Sequence, residues 1–428
     1  MSDANGLIEY IEASPSSFHC ALETVRRLEK AGYQKTNLSD APRAIQPGEL
    51  GYIQVSGTVI AWHVGSKPPV ESGFRLLGAH TDSPNLRLKP NPEYESEGYI
   101  QWGVEPYGGV LLATWLDRDL GLCGSVSVRG NDGIDERLIR IDKPLARIPN
   151  LAIHLNREVN DKGLALNKQQ HLPPMIGLAT EKDGSSLHGL LSEELGCDAK
   201  DILGWDLSLF DVVSPCIGGL NDDFVFAPRL DNQASCYSAL EALLSLSQTP
   251  KSTAVTVLYD HEECGSRSER GADSHLLRDV LTGLTTNHTG GNDGGYGRAA
   301  AVSFMVSADM AHGVHPNYAD RHDKQHKPML NGGPVIKTNM NMRYATNAYT
   351  SAKFRQACEL ENVPYQEFVN RSDLACGSTI GPISAALLSV PTVDVGNAML
   401  SMHSIREQCG AHDVDWMTRV MARILRED

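Results

Sequence analysis

Short apolar runs and segments with helical spacing alternate along much of the chain. The apolar runs cover residues 74–77, 253–259, 302–307 and 392–395, and each is followed by polar residues. Continuous apolar runs of this length are typical of strands that are buried on both faces. Helical spacing over 232–247 precedes one of them. The pattern therefore predicts an α/β fold, with a central mixed sheet that is partly parallel and flanked by helices.

Helices are also predicted near both ends of the chain. Ser14 and Pro15 are residue types preferred at a helix N-cap and at the first helical position, and Gly32 is suited to follow a helix end. The apolar face expected for this helix consists of Phe18, Leu22, Val25 and Leu28. A last helix is predicted after Asp413, with a buried face of Val414, Met417, Met421 and Ile424.

The middle of the chain has a different pattern. Helical periodicity is scarce there, and residues 125–129 and 137–141 flank a Gly-Asn-Asp-Gly sequence, which indicates a β-hairpin. We therefore predict a β-rich domain at 91–228, inserted into an α/β domain made of 1–90 and 229–428.

Composition and charge narrow the classes of function. Hydrophobic residues make up 41% of the 428 positions and charged residues 21%, a globular mixture in a chain long enough for two domains. The 38 basic and 53 acidic residues leave a formal net charge of −15. Such an acidic surface disfavours nucleic acid and membranes as partners. It also repels acidic peptides at long range, so any preference for them requires a local cation.

Cysteine usage and the first residues bear on the compartment. The nine cysteines are scattered and form no CxxC motif, which disfavours a disulfide framework or a thiolate zinc site. The sequence MSDANGLIEYIE lacks the basic and apolar regions of a signal peptide, and no apolar run is long enough to cross a bilayer. We expect a soluble cytoplasmic protein with reduced thiols.

Polar residues that can carry chemistry stand where the predicted strands end. His80 follows the first apolar run, and Asp82 lies where its carboxylate could orient a metal-bound imidazole. Taken alone, this pair is more typical of an Asp that caps a turn beside a surface histidine. Glu262 and Glu263 are the stronger signal, because two adjacent carboxylates directly after a buried strand are costly unless cations or protons compensate them. One can bind metal while its neighbour acts as a general base.

Further candidates complete a possible metal site. Asp231 precedes a helical stretch, Asp309 ends an apolar strand with His315 after it, and His403 follows the last strand. Each also has a simpler interpretation, as a helix N-cap for Asp231 and as turn residues for the others. Imidazole and carboxylate ligands without thiolate suit zinc, manganese or cobalt in a hydrolytic site. One bridging carboxylate and two terminal ligands per ion would serve two metals.

Other chemistries have less support. The chain contains neither a GxSxG nucleophile elbow nor a P-loop. Residues 295–300 approximate a dinucleotide-binding fingerprint but do not follow a predicted strand. A cysteine nucleophile at Cys264 or Cys376 would have no histidine paired with it nearby in the sequence, and buried inert thiols are the preferred interpretation.

Long motifs resemble those of the aspartyl aminopeptidase family, which also contains vacuolar aminopeptidase. They are GAHTDSPNLRLKP, LDNQASCYSAL, YDHEECGS, SADMAHGVHPNY, GPVIKTNMNMRYATNA, CGSTIGPISA and MHSIRE. The resemblance extends from the first predicted helix to the last. It implies a zinc-exopeptidase-like catalytic domain, an inserted dimerisation or lid domain, a homododecamer, and two divalent metal ions per subunit, usually zinc.

The resemblance also implies roles for individual residues. The metal ligands would be His80 and Asp309 for one ion, Glu263 and His403 for the other, and Asp231 as the bridge. Glu262 would be the general base and Asp82 would orient His80. The substrate would be a peptide with an acidic N-terminal residue.

Three predicted roles concern substrate and assembly. The resemblance places a substrate-binding lysine at Lys337, and we predict that His315 also contacts substrate. It further implies that His154, in the strand-like stretch 152–156, reaches into the active site of a neighbouring subunit, although the sequence alone favours a core or interface histidine. A broad-specificity neutral aminopeptidase of the same fold is the nearest alternative. A non-catalytic assembly protein is disfavoured, because every predicted ligand and the base are present.

Overall fold

The computed structural model describes residues 2–41, 43–179, 186–291 and 293–427. Its contacts divide the chain into two units. The first unit comprises Met1–Asp82, Pro215–Met402 and Glu407–Asp428, and the second comprises Ser83–Ser214 and His403–Arg406. The long stretch of the second unit overlaps most of the predicted insertion at 91–228, whereas the short tetrapeptide was not foreseen.

Helices occur in both units. In chain order they are α1 (Ser2–Glu12), α2 (Ser17–Lys30), α3 (Pro69–Ser72), α4 (Val159–Lys162), α5 (Leu187–Leu195), α6 (Leu230–Leu244), α7 (Leu276–Asn287), α8 (Gly295–Ala301), α9 (Ala348–Leu360), α10 (Ile380–Leu388) and α11 (Asp413–Leu425). Gly295 and Gly297 of the approximate dinucleotide fingerprint therefore lie within a helix.

In the described part of the chain, the strands form three sheets. In chain order they are β1 (Gln34–Lys35), β2 (Leu50–Val55), β3 (Thr58–His63), β4 (Phe74–His80), β5 (Asn85–Ser96), β6 (Tyr99–Tyr107), β7 (Leu120–Arg129), β8 (Ile134–Ala146), β9 (Met175–Leu178), β10 (Ile202–Asp211), β11 (Cys216–Gly218), β12 (Phe224–Ala227), β13 (Thr253–Tyr259), β14 (Phe304–Ala308), β15 (Ala311–His312), β16 (Val335–Lys337), β17 (Gln366–Phe368), β18 (Thr392–Gly396), β19 (Ala398–Leu400) and β20 (Glu407–Gly410).

The first unit is built on a nine-stranded sheet with the order β1-β2-β3-β13-β4-β14-β18-β16-β17. Its four central strands, β13, β4, β14 and β18, are parallel, whereas β3 and β16 pair with them in the antiparallel sense. The four apolar runs of the sequence form these four central strands. The predicted mixed sheet with a parallel core is therefore confirmed.

Helices pack on both faces of this sheet. Leu77 of β4 belongs to a core shared with α6 and α11, whereas its neighbour Leu76 belongs to a second core with α7, α8 and α10. Successive side chains of a strand point to opposite faces, so a strand covered on both sides is apolar at nearly every position. Truncating one of these fully buried side chains, as in Leu77→Ala, would cost about 2–5 kcal/mol of stability.

The predictions for α2 and α11 differ in accuracy. Helix α2 begins at Ser17, and its N-cap is Ser16, whose side chain accepts a hydrogen bond from the His19 backbone N–H, so Ser14 is not the cap. Leu22 is 51% exposed, because it lies on the solvent side of α2 with Arg26 and Glu29, whereas Ala21 and Val25 are buried. The prediction for α11 is confirmed, with all four residues of its apolar face buried.

The second unit contains a six-stranded sheet with the order β8-β7-β10-β5-β6-β9. Each pair of neighbouring strands is antiparallel, and the predicted hairpin is confirmed as β7 and β8, with Val126 opposite Arg137. The expectation that helices are scarce here overlooked α5, which Ser186 caps by accepting a hydrogen bond from the Gly189 N–H.

The tetrapeptide His403–Arg406 is bound to the long stretch of the second unit by its own hydrogen bonds. The Leu111 N–H donates to the His403 carbonyl, and the Ile405 N–H donates to Thr114 Oγ1. The Arg406 guanidinium donates to the carbonyls of Val213 and Ser214. Directly before and after it, the chain forms β19 and β20 of a five-stranded sheet in the first unit, with the order β11-β12-β20-β19-β15. Within the described ranges, none of the helices is both long and apolar enough to span a membrane.

Candidate metal centre

The carboxyl ends of three parallel strands place polar side chains at one edge of the nine-stranded sheet. His80 is the last residue of β4, Asp309 follows β14 directly, and Glu262 lies three residues after β13. Tyr259 of β13 pairs with His80 in the parallel register, so these two strand ends are neighbours. Ligands of α/β sheets bind beyond such ends.

The His80 imidazole lies at the centre of this edge and is 1% exposed. Its Nε2 is 3.5 Å from Asp231 Oδ1, 3.7 Å from Asp309 Oδ1 and 3.8 Å from Glu262 Oε2. These separations are too long for good hydrogen bonds. Two ligand atoms bound to one zinc ion at tetrahedral geometry lie about 3.4 Å apart, which is close to the shorter of these distances.

Asp82 contacts both His80 and the loop after β13. The Nδ1 atom of His80 is 3.0 Å from the Asp82 carbonyl oxygen and 3.5 Å from its carboxylate Oδ1. The same carboxylate accepts hydrogen bonds from the backbone N–H groups of Glu262 and Glu263, each at 3.1 Å. Asp82 therefore links the imidazole to the loop of the two glutamates, a second contact that its spacing in the sequence did not suggest.

The loop of the two glutamates is a short 3₁₀ turn, Glu262–Cys264, between two residues with left-handed backbone conformation, His261 (φ 66°) and Gly265 (φ 102°). The buried Asp260 stabilises this loop, because its carboxylate accepts hydrogen bonds from the His261 N–H and from Arg270 Nε, each at 3.0 Å. Arg270 was missed in the sequence because nothing in its neighbourhood distinguishes it from a surface arginine.

Asp231 lies at the start of α6, where its own backbone and that of Asn232 depart from helical geometry. It is buried, and its backbone N–H donates to Glu407 Oε2 at 3.0 Å. Asn232 Nδ2 donates to the Ala308 carbonyl at 2.9 Å, which fixes this turn beside the end of β14. The helix predicted over 232–247 is thus present, but Asp231 stands in a kink rather than at a simple N-cap.

Asp309 and Lys337 form a buried ion pair next to His80. Lys337 Nζ is 3.5 Å from Asp309 Oδ2 and donates a hydrogen bond to the Met310 carbonyl at 3.2 Å. Lys337 is the last residue of β16, and it is 2% exposed. Burial would raise the pKa of the Asp309 carboxyl, but Lys337 and His80 together hold it well below its usual range.

Crowding of like charges shifts the other groups. Burial disfavours a charged imidazole, yet the carboxylates of Glu262, Asp309 and Asp82 raise the pKa of His80 well above its usual value. Burial raises the pKa of Glu262 well above its usual value, and the neighbouring carboxylates add to this against the opposing effect of His80. Like charges this close together at a buried edge are costly unless cations or protons compensate them.

The donor set fits a divalent metal ion. Ligand atoms of His80, Asp231 and Asp309 all lie within 4.8 Å of one another, and so do those of His80, Glu262 and Glu263. Nitrogen and oxygen donors in buried surroundings are the ligand types of zinc in hydrolytic sites. Residues predicted from distant parts of the sequence are thus brought together around one imidazole.

Three further predicted site residues, His403, His315 and His154, each have their own local contacts. His403 belongs to the second unit, where its Nδ1 is 2.9 Å from the Gly109 carbonyl oxygen. His315 precedes a 3₁₀ turn, and its Nδ1 accepts a hydrogen bond from the Asn317 N–H. His154 lies in an exposed 3₁₀ turn, Ile153–Leu155, so both the predicted strand and a core position are wrong: this part of the chain folds as an isolated turn on the surface of the second unit.

The cysteine prediction was partly wrong. Cys376 is only partly buried and Cys264 is exposed, so neither is a fully buried core thiol. Cys264 follows the two glutamates in their 3₁₀ turn, and its Sγ is 3.5 Å from the His261 carbonyl oxygen, a contact typical of a turn residue.

Comparison with known proteins identifies the family. The family described as "Aminopeptidase I zinc metalloprotease (M18)" matches residues 10–423. Two curated relatives named "Probable M18 family aminopeptidase 2", from Pseudomonas aeruginosa (strain LESB58) and Ectopseudomonas mendocina (strain ymp), are 47% and 48% identical. Each alignment covers 97% of this chain and 96% of the relative.

Solved structures show the same fold over nearly the whole chain. The similar chain in "Cryo-EM structure of the Ape4 and Nbr1 complex" superposes with a TM-score of 0.95 at 37% identity, covering 99% of this chain and 85% of that one. For "Structure of S. cerevesiae mApe1 dodecamer" the TM-score is 0.84 at 28% identity, covering 98% and 95%. The predicted family relationship is confirmed: the chain belongs to the M18 family of zinc metalloproteases, whose general activity is that of a metal-dependent aminopeptidase.

Proposed function

We propose that this protein removes an acidic residue, Asp or Glu, from the N-terminus of peptides, with two divalent metal ions per subunit. The observation that supports it most directly is the convergence of His80, Asp231, Asp309 and Glu262 at one buried sheet edge. As the family resemblance implies, His80 and Asp309 would hold one ion, Glu263 and His403 the other, and Asp231 would bridge them. When bound, such ions polarise the scissile carbonyl and make water more acidic.

The protein's own groups then divide the proton transfers. Glu262 takes a proton from the attacking water and later delivers it to the leaving amine, which is the role of a general base and then a general acid. Asp82 fixes the base, because its carboxylate holds the Glu262 backbone N–H, and it orients the His80 ring through Nδ1. The low exposure of this edge keeps bulk water from competing with these contacts.

Specificity for an acidic side chain needs a cation, because the chain as a whole carries a formal charge of −15. Lys337 is the buried cation beside Asp309 and supplies that charge in the proposal. His315 would contact the substrate as well. A broad-specificity neutral aminopeptidase is the alternative, and it would use the same metal site without a role for the charge of Lys337.

Assembly and location complete the proposal. One structurally similar protein is described as a dodecamer, and we infer that this chain also forms dimers and a dodecamer, with His154 contributed to the active site of a neighbouring subunit. Zinc is the metal inferred from the family, and manganese or cobalt would suit the same ligands. The nine cysteines form no disulfide in the described residues, which is in keeping with a reducing cytoplasm.

Two measurements on the purified oligomer test this function. Metal analysis should find about two divalent ions per subunit, and removal by a chelator should abolish hydrolysis in a way that added zinc restores. Asp309→Asn should lose metal, whereas Asp279→Asn, on the exposed side of α7, should keep it. A fully active apoprotein would contradict metal-dependent catalysis.

Substrate comparison then separates the two aminopeptidase hypotheses. Matched peptides that begin with Asp, Glu, Leu or Lys should give kcat/KM values that favour the two acidic residues. Equal values across the four would establish the broad-specificity alternative and remove Lys337 from its proposed role. Mass measurement of the same sample should show a dodecamer, and a monomer of full activity would exclude a shared site.

A further inference from the structure

A charged residue lies inside one of the apolar central strands. Asp394 stands between Val393 and Val395 of β18 and is fully buried. Its carboxylate accepts three short hydrogen bonds, from Ser307 Oγ at 2.6 Å, from Thr379 Oγ1 at 2.7 Å and from the Ala345 N–H at 2.6 Å. A buried carboxylate is costly unless it is hydrogen-bonded in this way.

The three donors come from three different parts of the first unit. Ser307 is in β14, two residues before Asp309. Thr379 is the N-cap of α10, where its hydroxyl also accepts a hydrogen bond from the Gly381 N–H. Ala345 lies in the segment between β16 and α9. One carboxylate thus ties a neighbouring central strand, a helix start and the segment that follows Lys337.

The space around Asp394 is shaped for its carboxylate. A Cβ atom added at Gly381 would lie 2.2–2.5 Å from the Asp394 carboxyl atoms, so only glycine fits there. The backbone of Asp394 reinforces the connection, because its N–H donates to Thr346 Oγ1 at 2.9 Å. The segment Tyr344–Thr346 is therefore attached to Asp394 through both side chain and main chain.

That segment packs against Lys337. The Nζ atom of Lys337 is 5.2 Å from the centre of the Tyr344 ring, within the range of a cation–π contact. Lys337 also follows Ile336, which pairs with Val395 in the antiparallel register of β16 and β18. Asp394, the residue that precedes Val395, thus fixes the segment that contains Tyr344, and Tyr344 contacts the lysine.

Burial raises the pKa of the Asp394 carboxyl, and its hydrogen bonds and the charge of Lys337 act in the opposite direction. These opposing influences mean that Asp394 interacts electrostatically with Lys337 as well as through the Tyr344 segment. A lysine side chain has four rotatable bonds, so its aim depends on such fixed neighbours.

We propose that Asp394 is a positioning residue for substrate selection: it fixes Tyr344–Thr346 and thereby the orientation of Lys337 toward an acidic N-terminal side chain. This inference rests on the proposed acidic preference. It predicts a selective effect, because a loosened Lys337 would weaken binding of Asp- and Glu-peptides more than that of neutral peptides. A purely structural role of Asp394 would instead reduce stability and leave the substrate ratio unchanged.

The test compares kcat/KM for an Asp-peptide and a matched Leu-peptide in the metal-loaded oligomer. Asp394→Asn should lower the Asp/Leu ratio about tenfold, equivalent to about 1.4 kcal/mol, and mainly through KM of the Asp-peptide. Thr346→Val, which removes one of the two attachments and keeps the carboxylate, should lower the ratio in the same direction by a smaller factor. Equal metal content of all samples excludes an indirect effect through Asp309.

Two further variants make the outcomes separable. Thr379→Val removes a hydrogen bond to the same carboxylate from the α10 side, so it should lower Tm and leave the Asp/Leu ratio unchanged. Lys337→Met should lower the ratio at least as much as Asp394→Asn. If Lys337→Met lowers the ratio while Asp394→Asn and Thr346→Val do not, the positioning role is wrong and the acidic preference stands. If Lys337→Met leaves the ratio unchanged, Lys337 does not select acidic peptides and the positioning role of Asp394 is wrong; the proposed preference itself fails only if the wild-type protein has an Asp/Leu ratio near one. If Asp394→Asn does not fold, Thr346→Val alone decides.

Discussion

Two regions of this molecule were predicted to take part in catalysis, and they differ in almost every physical respect. The strand-end cluster of the first unit consists of His80, Asp231, Glu262, Glu263 and Asp309, and its central imidazole is 1% exposed. The apolar turn of the second unit, residues 151–155, surrounds an exposed His154 with outward-facing side chains, of which Leu151 is 60% and Leu155 74% exposed.

The two regions differ in whether a single chain is enough to form them. The strand-end cluster is assembled within the first unit, where three strand ends and the start of α6 bring its groups within a few ångströms of one another. The apolar turn presents large hydrophobic side chains to solvent, which is the signature of an association surface. In the proposed function, the catalytic role of His154 depends on a second subunit, whereas the role of Glu262 does not.

The largest expected effect belongs to the strand-end cluster. Glu262→Gln should keep the metal content and lower kcat by at least about 10²-fold, the usual size of a general-base contribution. Glu71→Gln, at an exposed glutamate of α3, serves as the control and should keep full activity. Near wild-type turnover in Glu262→Gln would show that this carboxylate is not the base.

Loss of His154 from the apolar turn should lower activity to a similar extent. Unlike the loss of Glu262 alone, it should be compensated when two different mutant subunits are mixed. His154→Ala should lower kcat by about 10²-fold, as expected for a lost hydrogen-bond donor to a developing oxyanion. In a mixed dimer of His154→Ala and Glu262→Gln chains, one active site keeps its own Glu262 and receives an intact His154. Such hybrids should recover up to about half of the wild-type activity.

Co-expression with two affinity tags and tandem purification would isolate these hybrids for assay with an Asp-peptide. Each parent, purified in the same way, is the control for assembly and metal content. Hybrids that are as inactive as their parents despite normal assembly would leave His154 a structural residue, and the contrast between the two regions would lose its functional meaning.

A smaller and selective effect is expected inside the strand-end region. Lys337→Met should reduce kcat/KM on Asp- and Glu-peptides about tenfold more than on Leu-peptides, because it removes a charge that would pair with the substrate carboxylate. Lys353→Met, at a partly exposed lysine of α9, is the matched control. Losses of equal size on acidic and neutral peptides would indicate that Lys337 only supports Asp309.

The smallest effect concerns a buried acid outside the strand-end cluster. Asp413 accepts hydrogen bonds from the Asn331 and Gly333 N–H groups, and burial raises its pKa to about 6. The folded chain thus keeps this proton up to about pH 6, whereas the unfolded chain releases it near pH 4. Stability from this group therefore falls as pH rises between about 4 and 6, and is constant above.

Asp413→Asn should remove that step while activity on peptides is retained. The free energy of unfolding of the wild type relative to the variant should fall by roughly 2–3 kcal/mol between pH 4 and pH 7. Denaturation curves measured across this range provide the check. If the unfolding free energies of the wild type and the variant change with pH in parallel, Asp413 is ionised throughout this range. Burial would then not set the protonation of Asp413 apart from that of the acids in the strand-end cluster.

Much of the first unit could be predicted because the burial of its central strands is visible in the sequence of each strand alone. Strands β4, β13, β14 and β18 are covered on both faces, so they are apolar at most positions, and polar residues follow their ends. The same ends supplied His80, Glu262 and Asp309 as candidates. Helix α1 was missed although Ala4, Leu7 and Ile11 recur at helical spacing; the first predicted helix corresponds to α2.

What escaped prediction depends on contacts between distant segments. Asp394 was visible as a charged residue in an apolar run, but its donors lie in three separate segments and only the folded sheet brings them together. The double contact of Asp82 with His80 and with the glutamate loop has the same origin. The metal pairing and the substrate class came from family resemblance, because residue types alone do not determine them.

The tetrapeptide His403–Arg406 has a consequence for how such proteins evolve. The second unit is not formed by one continuous stretch of chain. Its hydrogen bonds include those of His403, Ile405 and Arg406 with the stretch before Pro215. A recombination event that exchanged residues 83–214 alone would leave this tetrapeptide opposite foreign backbone. The two stretches are therefore expected to be inherited together, and chimeras made from M18 relatives should fold best when both come from the same parent.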